Sequence, residues 1–184
     1  YYRLFPKEKR PQWCGIARGC SHAHENPKRD EMHTIERQAE QLTLAGILNT
    51  PLPDLSWLNS KLKNFTLPQK FVLLVPGAAR HRPLKRWPPE NYKELTSLLS
   101  NKGIQTFVIG GKHELILANK IANGTNAVSL VGKTSIAELA GLSRRAQGAV
   151  GNDTGPMHIA AICGCPSTVL FSNVSNPKIT APRG

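Results

Sequence analysis

From Phe71 onward the apolar positions switch between two periods. Phe71, Val72, Leu73, Leu74 and Val75 form a continuous apolar run, the pattern of a strand buried on both faces, and Pro76-Gly77 breaks it. After Pro88-Pro89-Glu90, residues Tyr92, Leu95, Leu98 and Leu99 recur at helical spacing, with proline early and Gly103 just past the end. Residues 104–109 predict a second strand, stopped by Gly110-Gly111. Leu115, Ala118, Ile121 and Ala122 mark a second helix, and residues 128–131 a third short strand. Ser135-Ile136-Ala137-Glu138 fits a capping box opening a helix whose Ile136, Leu139, Ala140 and Leu142 face inward. Ala149-Val150 predicts a short strand, residues 155–163 a fourth helix and residues 168–171 a fifth strand. Parallel neighbours need crossover connections, and helices supply them here. The pattern therefore predicts an α/β fold, a Rossmann-like parallel sheet with helices on both faces.

Upstream the periodicity is weaker. Residues 34–44 predict a helix through Ile35, Ala39 and Leu42, and residues 13–17 a single strand. Residues 51–69, with Pro51, Pro53 and Pro68, have linker composition. Three sections follow: residues 1–50 as the end of a different unit, 51–69 as an interdomain linker, and 70–184 as most of a Rossmann-like domain. No internal repeat is visible.

Composition narrows the partners. Of 184 residues 40% are hydrophobic, enough for a real core, which excludes wholesale disorder and low-complexity classes. Lys and Arg number 24 against 12 Asp and Glu, a net charge of +12 that points to an anionic partner: nucleic acid, a nucleotide, a phosphorylated lipid or a membrane surface. No run approaches the ~20 apolar residues of a membrane span, and Tyr1-Tyr2-Arg3-Leu4-Phe5-Pro6 lacks a signal-peptide layout, so a soluble chain without a transmembrane segment is expected. The chain has no initiator Met and stops at the turn-like Pro182-Arg183-Gly184, as a piece of a longer polypeptide would. Four cysteines are too few for a disulfide framework and suit a reducing cytosol; Cys163 and Cys165 read as small buried hydrophobes at a helix end. Cys14, Cys20, His22 and His24 are soft-metal ligand types within eleven positions. Their spacing is not that of a zinc ribbon or finger, and an ordinary polar loop is the preferred reading, with no metal assigned.

Candidate chemistry lies after the strands, because an open parallel sheet binds ligands outside its carboxyl ends. Pro76-Gly77-Ala78-Ala79, Gly110-Gly111, Gly132-Lys133 and Gly151-Asn152-Asp153-Thr154-Gly155 all carry glycine there. Asp153 or Thr154 can cap the following helix, whose first-turn amides and dipole form a phosphate site, with His158 one turn in. On spacing alone Asp153 is equally a plain cap and His158 a half-buried polar residue. Arg80-His81-Arg82-Pro83-Leu84-Lys85-Arg86 is usually a solvated charge run, yet here it leaves a strand's carboxyl end, where Lys85 can balance a diphosphate. Glu114 is placed to accept hydrogen bonds from ribose hydroxyls, or simply to favour a helix start as a first-turn carboxylate.

Taken together, Pro76-Gly77-Ala78, Lys85-Arg86-Trp87-Pro88, Gly110-Gly111, Leu130-Val131-Gly132-Lys133-Thr134-Ser135 and Asn152-Asp153-Thr154-Gly155-Pro156-Met157-His158 resemble, in order, glycosyltransferase family 9, the ADP-heptose:lipopolysaccharide heptosyltransferases. The resemblance covers residues 71–184 and, more loosely, 13–58. It implies the C-terminal half of a two-domain glycosyltransferase B fold, holding an ADP-sugar donor, while the N-terminal domain takes a lipid-linked anionic acceptor at the inner face of the cytoplasmic membrane of a Gram-negative bacterium. By position, Asp153, Thr154, Gly155 and His158 would meet the donor's diphosphate and sugar. Ala78 would line the same site, Lys85 would stabilise the leaving group, and Glu114 would hold the ribose. The family inverts the anomeric centre with a carboxylate base, without cofactor or essential metal. That base belongs to the early N-terminal domain, which these residues do not include, so the chain alone is expected to bind donor without turnover.

Two other classes compete. A basic nucleic-acid-binding module predicts a basic stripe interleaved with exposed aromatics, but aromatics are 6% of the chain and the basic residues gather at glycine turns. A nucleotide-binding fragment without turnover would share every feature of the donor site.

Overall fold

Alternate residues of one strand, Phe71 to Val75, fill two separate cores in the computed structural model, which describes residues 4–184. Tyr1, Tyr2 and Arg3, the start of the segment read above for a signal layout, lie outside the described residues. The chain divides into two compact units: the residues up to Leu52 with Lys178–Thr180, and Pro53–Pro177 with Ala181–Gly184.

In the first unit, β1 (Cys14–Gly15) pairs in parallel with β2 (His22–Ala23), and α1 (Thr34–Leu44) follows. The strand expected over residues 13–17 keeps only two, because the Ser21 and His22 amides turn back to donate to the Trp13 carbonyl, at 3.0 and 3.2 Å. The partner strand β2 carries too little apolar pattern to have been read. His33 caps α1, its Nδ1 accepting from the Ile35 amide at 3.3 Å. Thr34 Oγ1 donates to the Ile179 carbonyl at 3.1 Å, joining α1 to the short helix α6 (Pro177–Thr180).

The second unit alternates β3 (Phe71–Val75), α2 (Pro89–Ser100), β4 (Gln105–Val108), α3 (Leu115–Ala122), β5 (Val128–Ser129), α4 (Ile136–Arg145), β6 (Gly148–Asn152), α5 (Gly155–Ile162) and β7 (Ser167–Leu170). All five strands are parallel, in the order β5-β4-β3-β6-β7, with Val75 opposite Gly151 and Leu74 opposite Val108. Side chains alternate across a strand. Leu73 and Val75 therefore pack under α4 and α5 with Phe107, Leu142, Met157 and Ala160, while Val72 and Leu74 pack under α2 and α3 with Tyr92, Val108, Ala118 and Ile121. Leu73 and Leu74 are fully buried, worth roughly 1.5–3 kcal/mol each, which is why an unbroken apolar run marks the middle of the sheet.

The capping box of α4 forms as read. Ser135 Oγ accepts from the Glu138 amide at 3.2 Å, and Glu138 Oε2 accepts from the Ser135 amide at 2.8 Å. One inward position is corrected. Ile136 is 63% exposed because it sits in the first turn, and the buried stripe begins at Leu139. Leu98 is 56% exposed, since the face of α2 that meets the sheet runs through Tyr92, Leu95, Thr96 and Leu99. Cys165 is buried, and burial pushes its thiol up to about 11.

Residues 53–69 have a connector's composition and hold no helix or strand, yet they pack. Leu62 is 4% exposed and adopts φ 53°, turning the chain so that its side chain lies over Gly141 of α4. Phe65 and Leu67 join the same core, and Arg144 donates to the Leu55 and Leu58 carbonyls at 2.5 and 2.8 Å.

Candidate functional site

The chain runs outward from β3 to β4 and β5, and α4 then carries it back to β6 on the other side of β3. The segments leaving β3 and β6 therefore diverge, and a crevice opens at the carboxyl ends of these two strands. A cleft of about 270 Å³ lies there, lined by Gly77, Ala78 and Ala79 after β3, Gly111, His113 and Glu114 after β4, and Thr154 and Pro156 after β6. Three of the glycine turns read from the sequence thus converge on one place.

Gly77 has a specific reason. A Cβ built on it would run into the Glu114 carboxylate, and one on Gly110 would do the same. Glu114 Oε2 accepts from the Gly111 amide at 2.8 Å, so this residue braces a helix start while it edges the cleft.

A second group faces the start of α5. The 3-10 turn Pro83–Lys85 brings Lys85 Nζ onto Asp153 Oδ2 as an ion pair, with side chains 12% and 5% exposed. His158 Nε2 stands 3.8 Å from Asp153 Oδ1, and its side chain is half-buried. Thr154 occupies the N-cap position without a side-chain capping bond, and its hydroxyl donates to the Asn152 carbonyl at 3.2 Å. The start of α5, with Gly155 and Pro156 as its first residues and the paired Lys85 beside it, has the geometry to receive an anion. The basic run divides. Arg80, His81 and Arg82 are exposed, Lys85 turns into the site, and Arg86 donates to the Ala78 carbonyl at 2.9 Å, holding the loop.

Cys14, Cys20, His22 and His24 do not converge. Cys20 Sγ donates to the Gly15 carbonyl at 3.3 Å and His22 Nε2 meets Gln12 Oε1 at 3.0 Å. The buried His24 lies between Arg29 and Glu40, at 3.4 and 3.6 Å. Among the described residues no three His, Cys, Asp or Glu side chains are grouped to hold a metal. A larger hollow of about 500 Å³, between residues 64–68 and the β4–β5 edge, is lined by Phe65, Leu67, Phe107, Val128 and Leu130 and by no charged side chain, which makes it unsuited to phosphate.

Sequence reasoning gave no role to Asn152, Trp87 or Tyr92. A polar Asn152 ending the otherwise apolar run Ala149-Val150-Gly151 is the signal the sequence carried, and the fold buries it completely. Burial pushes the Tyr92 phenol well above its usual value, so it stays a neutral donor.

Known proteins resemble this chain in sequence and fold. The chain is 32% identical over 114 residues to the lipooligosaccharide heptosyltransferase 2 of Haemophilus ducreyi, a match covering 58% of this chain and 32% of that protein. The solved E. coli ADP-heptose lps heptosyltransferase II superimposes with a TM-score of 0.67 at 27% identity, covering 82% of this chain and 51% of that one. E. coli heptosyltransferase WaaC, solved with ADP, gives 0.66 at 25% identity, covering 84% and 48%. The match spans about a third of the curated relative and about half of each solved chain, over the glycosyltransferase B type of sheet. The family model of glycosyltransferase family 9 (heptosyltransferase) matches residues 17–184, and the chain belongs to that family.

Proposed function

We propose that these residues form the donor-binding part of an enzyme that moves a heptose from ADP-heptose to the inner core of lipopolysaccharide. The observation that carries this reading is the placement of Lys85 and Asp153 against the start of α5, at the crevice between β3 and β6. A diphosphate needs cations and amide donors; both are there, with Glu114 across the cleft to accept from a ribose. The relatives named above are heptosyltransferases, and one was solved with ADP.

In the reaction so proposed, an acceptor hydroxyl attacks the anomeric carbon from the face opposite the diphosphate. The bond from that carbon to the phosphate oxygen breaks, and ADP leaves with the electron pair, so the centre inverts. Lys85 and the first-turn amides of α5 meet the charge that grows on the leaving oxygen. Asp153, Thr154, Gly155 and His158 border the diphosphate and sugar, Ala78 lines the pocket floor, and no metal or cofactor enters. The carboxylate that takes the acceptor's proton would come from residues outside this chain. Residues 1–50 would be the end of the acceptor domain, 51–69 the connection and 70–184 the donor domain. Among the described residues no helix is long and apolar enough to cross a membrane, and a net charge of +12 suits a cytoplasmic enzyme working at an anionic lipid surface.

Calorimetric titration with ADP, ADP-heptose, a UDP-sugar and a short oligonucleotide tests the reading. Saturable binding of the adenine nucleotides is expected, weakened about tenfold or more in Lys85→Met and in His158→Ala by loss of a charge-assisted hydrogen bond. Oligonucleotide binding alone, unchanged in both variants, would overturn it in favour of a nucleic-acid module.

A further inference from the structure

Asn152 ends β6 with its side chain fully buried, directly before Asp153. Every polar atom of that side chain is used. Nδ2 donates to the Pro76 carbonyl at 2.7 Å and lies 3.2 Å from the Gly77 carbonyl, where the loop after β3 begins. Oδ1 accepts from the Trp87 amide at 3.0 Å, where the same loop ends, and the Tyr92 hydroxyl lies 3.3 Å away. The Trp87 and Tyr92 rings meet edge to face at 4.9 Å, closing the loop's end against α2. One amide therefore holds both ends of residues 76–87, the loop that carries Gly77, Ala78 and Lys85.

We infer that Asn152 is a positioning residue: by clamping both ends of the 76–87 loop to β6, it sets where Lys85 meets Asp153 at the anion site. Asparagine alone suits the task at this size. It offers a donor to two carbonyls and an acceptor to an amide and a hydroxyl, whereas aspartate keeps only the acceptor and leucine neither. Because Asn152 and Asp153 are adjacent, the residue that fixes the loop and the residue that receives its lysine move as one piece of strand. The loop part of the inference stands on hydrogen bonds alone, and its consequence for donor binding rests on the function proposed above.

The test uses the full chain, with Asn152→Ala, Asn152→Asp and, for comparison, Lys85→Met. Amide hydrogen exchange is followed at Arg82, Lys85, Arg86 and Trp87, and the affinities for pyrophosphate and ADP are measured by calorimetry. Asn152→Ala should speed exchange at Trp87 and along the loop about tenfold or more, leave Leu73 and Leu74 at the wild-type rate, and weaken both ligands about tenfold, the equivalent of one lost hydrogen bond. Asn152→Asp should keep the Trp87 amide protected, since the acceptor remains, yet still weaken both ligands through the freed Pro76-Gly77 end. Lys85→Met should weaken the ligands with loop exchange unchanged.

Wild-type exchange at Trp87 in Asn152→Ala would overturn the inference, as would equal acceleration through β3, which marks general destabilisation. A loosened loop with affinities within about twofold of wild type would overturn the link to Lys85. Should Asn152→Ala fail to fold, Asn152→Asp carries the same decision through its split effect on Trp87 and on affinity. If the wild-type chain binds neither pyrophosphate nor ADP, the proposed function fails, and the exchange data still decide whether Asn152 clamps the loop.

Discussion

A single missing carbon atom shapes the cleft. Gly77 leaves the space that the Glu114 carboxylate fills, so Gly77→Ala must displace that carboxylate or the backbone after β3. Overpacking of this kind costs roughly 1–3 kcal/mol. Gly77→Ala should lower the unfolding free energy from urea titration by that much, and the double variant Gly77→Ala/Glu114→Ala should recover most of it, a non-additivity that a cycle of unfolding curves would measure. The residue types at the site were legible: Ala78, Lys85, Glu114, Asp153, Thr154, Gly155 and His158 all lie at the carboxyl ends of β3, β4 and β6. Their pairing was not. Asp153 was equally readable as a helix cap, and only the fold brings Lys85, 68 positions earlier, onto its carboxylate.

At the level of elements, local signals act where their partners are close in sequence. The Ser135–Glu138 box needs four residues and forms as read, and the hydrogen bonds from Ser135 hold the Glu138 carboxyl below its ordinary value of 4.5. A lowered carboxylate pKa adds stability that is complete above the unfolded value and fades as pH falls through the folded one. Ser135→Ala should therefore cost about 1 kcal/mol at pH 7, with the gap between the two urea midpoints narrowing below pH 4.5 as Glu138 is protonated. The segment 53–69 teaches the opposite lesson. Prolines and polar residues give it a connector's composition, while Leu62 is a core residue set by a left-handed turn and a contact with Gly141. Leu62→Ala should cost roughly 2–5 kcal/mol in equilibrium unfolding, the penalty for emptying a packed site, where a solvated linker residue would cost nothing measurable.

Over the whole molecule, the two compact units can be told apart by their tryptophans, Trp13 in the first and Trp57 and Trp87 in the second. Only the second holds the proposed donor site. ADP at about 100 times its dissociation constant should add about 2.7 kcal/mol to the transition that Trp87 reports, a shift readable in fluorescence melts of single-tryptophan variants. By itself the sequence determined the order and type of elements from residue 71 to 171, the parallel sheet and the set of chemically able residues, because hydrophobic period, caps and glycine turns are local properties of the chain. Tertiary structure alone decided the strand order, which puts β6 beside β3 and creates the crevice, the pairing of Lys85 with Asp153, the burial of Leu62 and the clamp made by Asn152. Each of these depends on contacts between residues tens of positions apart, and a hydrogen bond or a packed methyl group is specified by distance in space, of which a one-dimensional pattern carries no record.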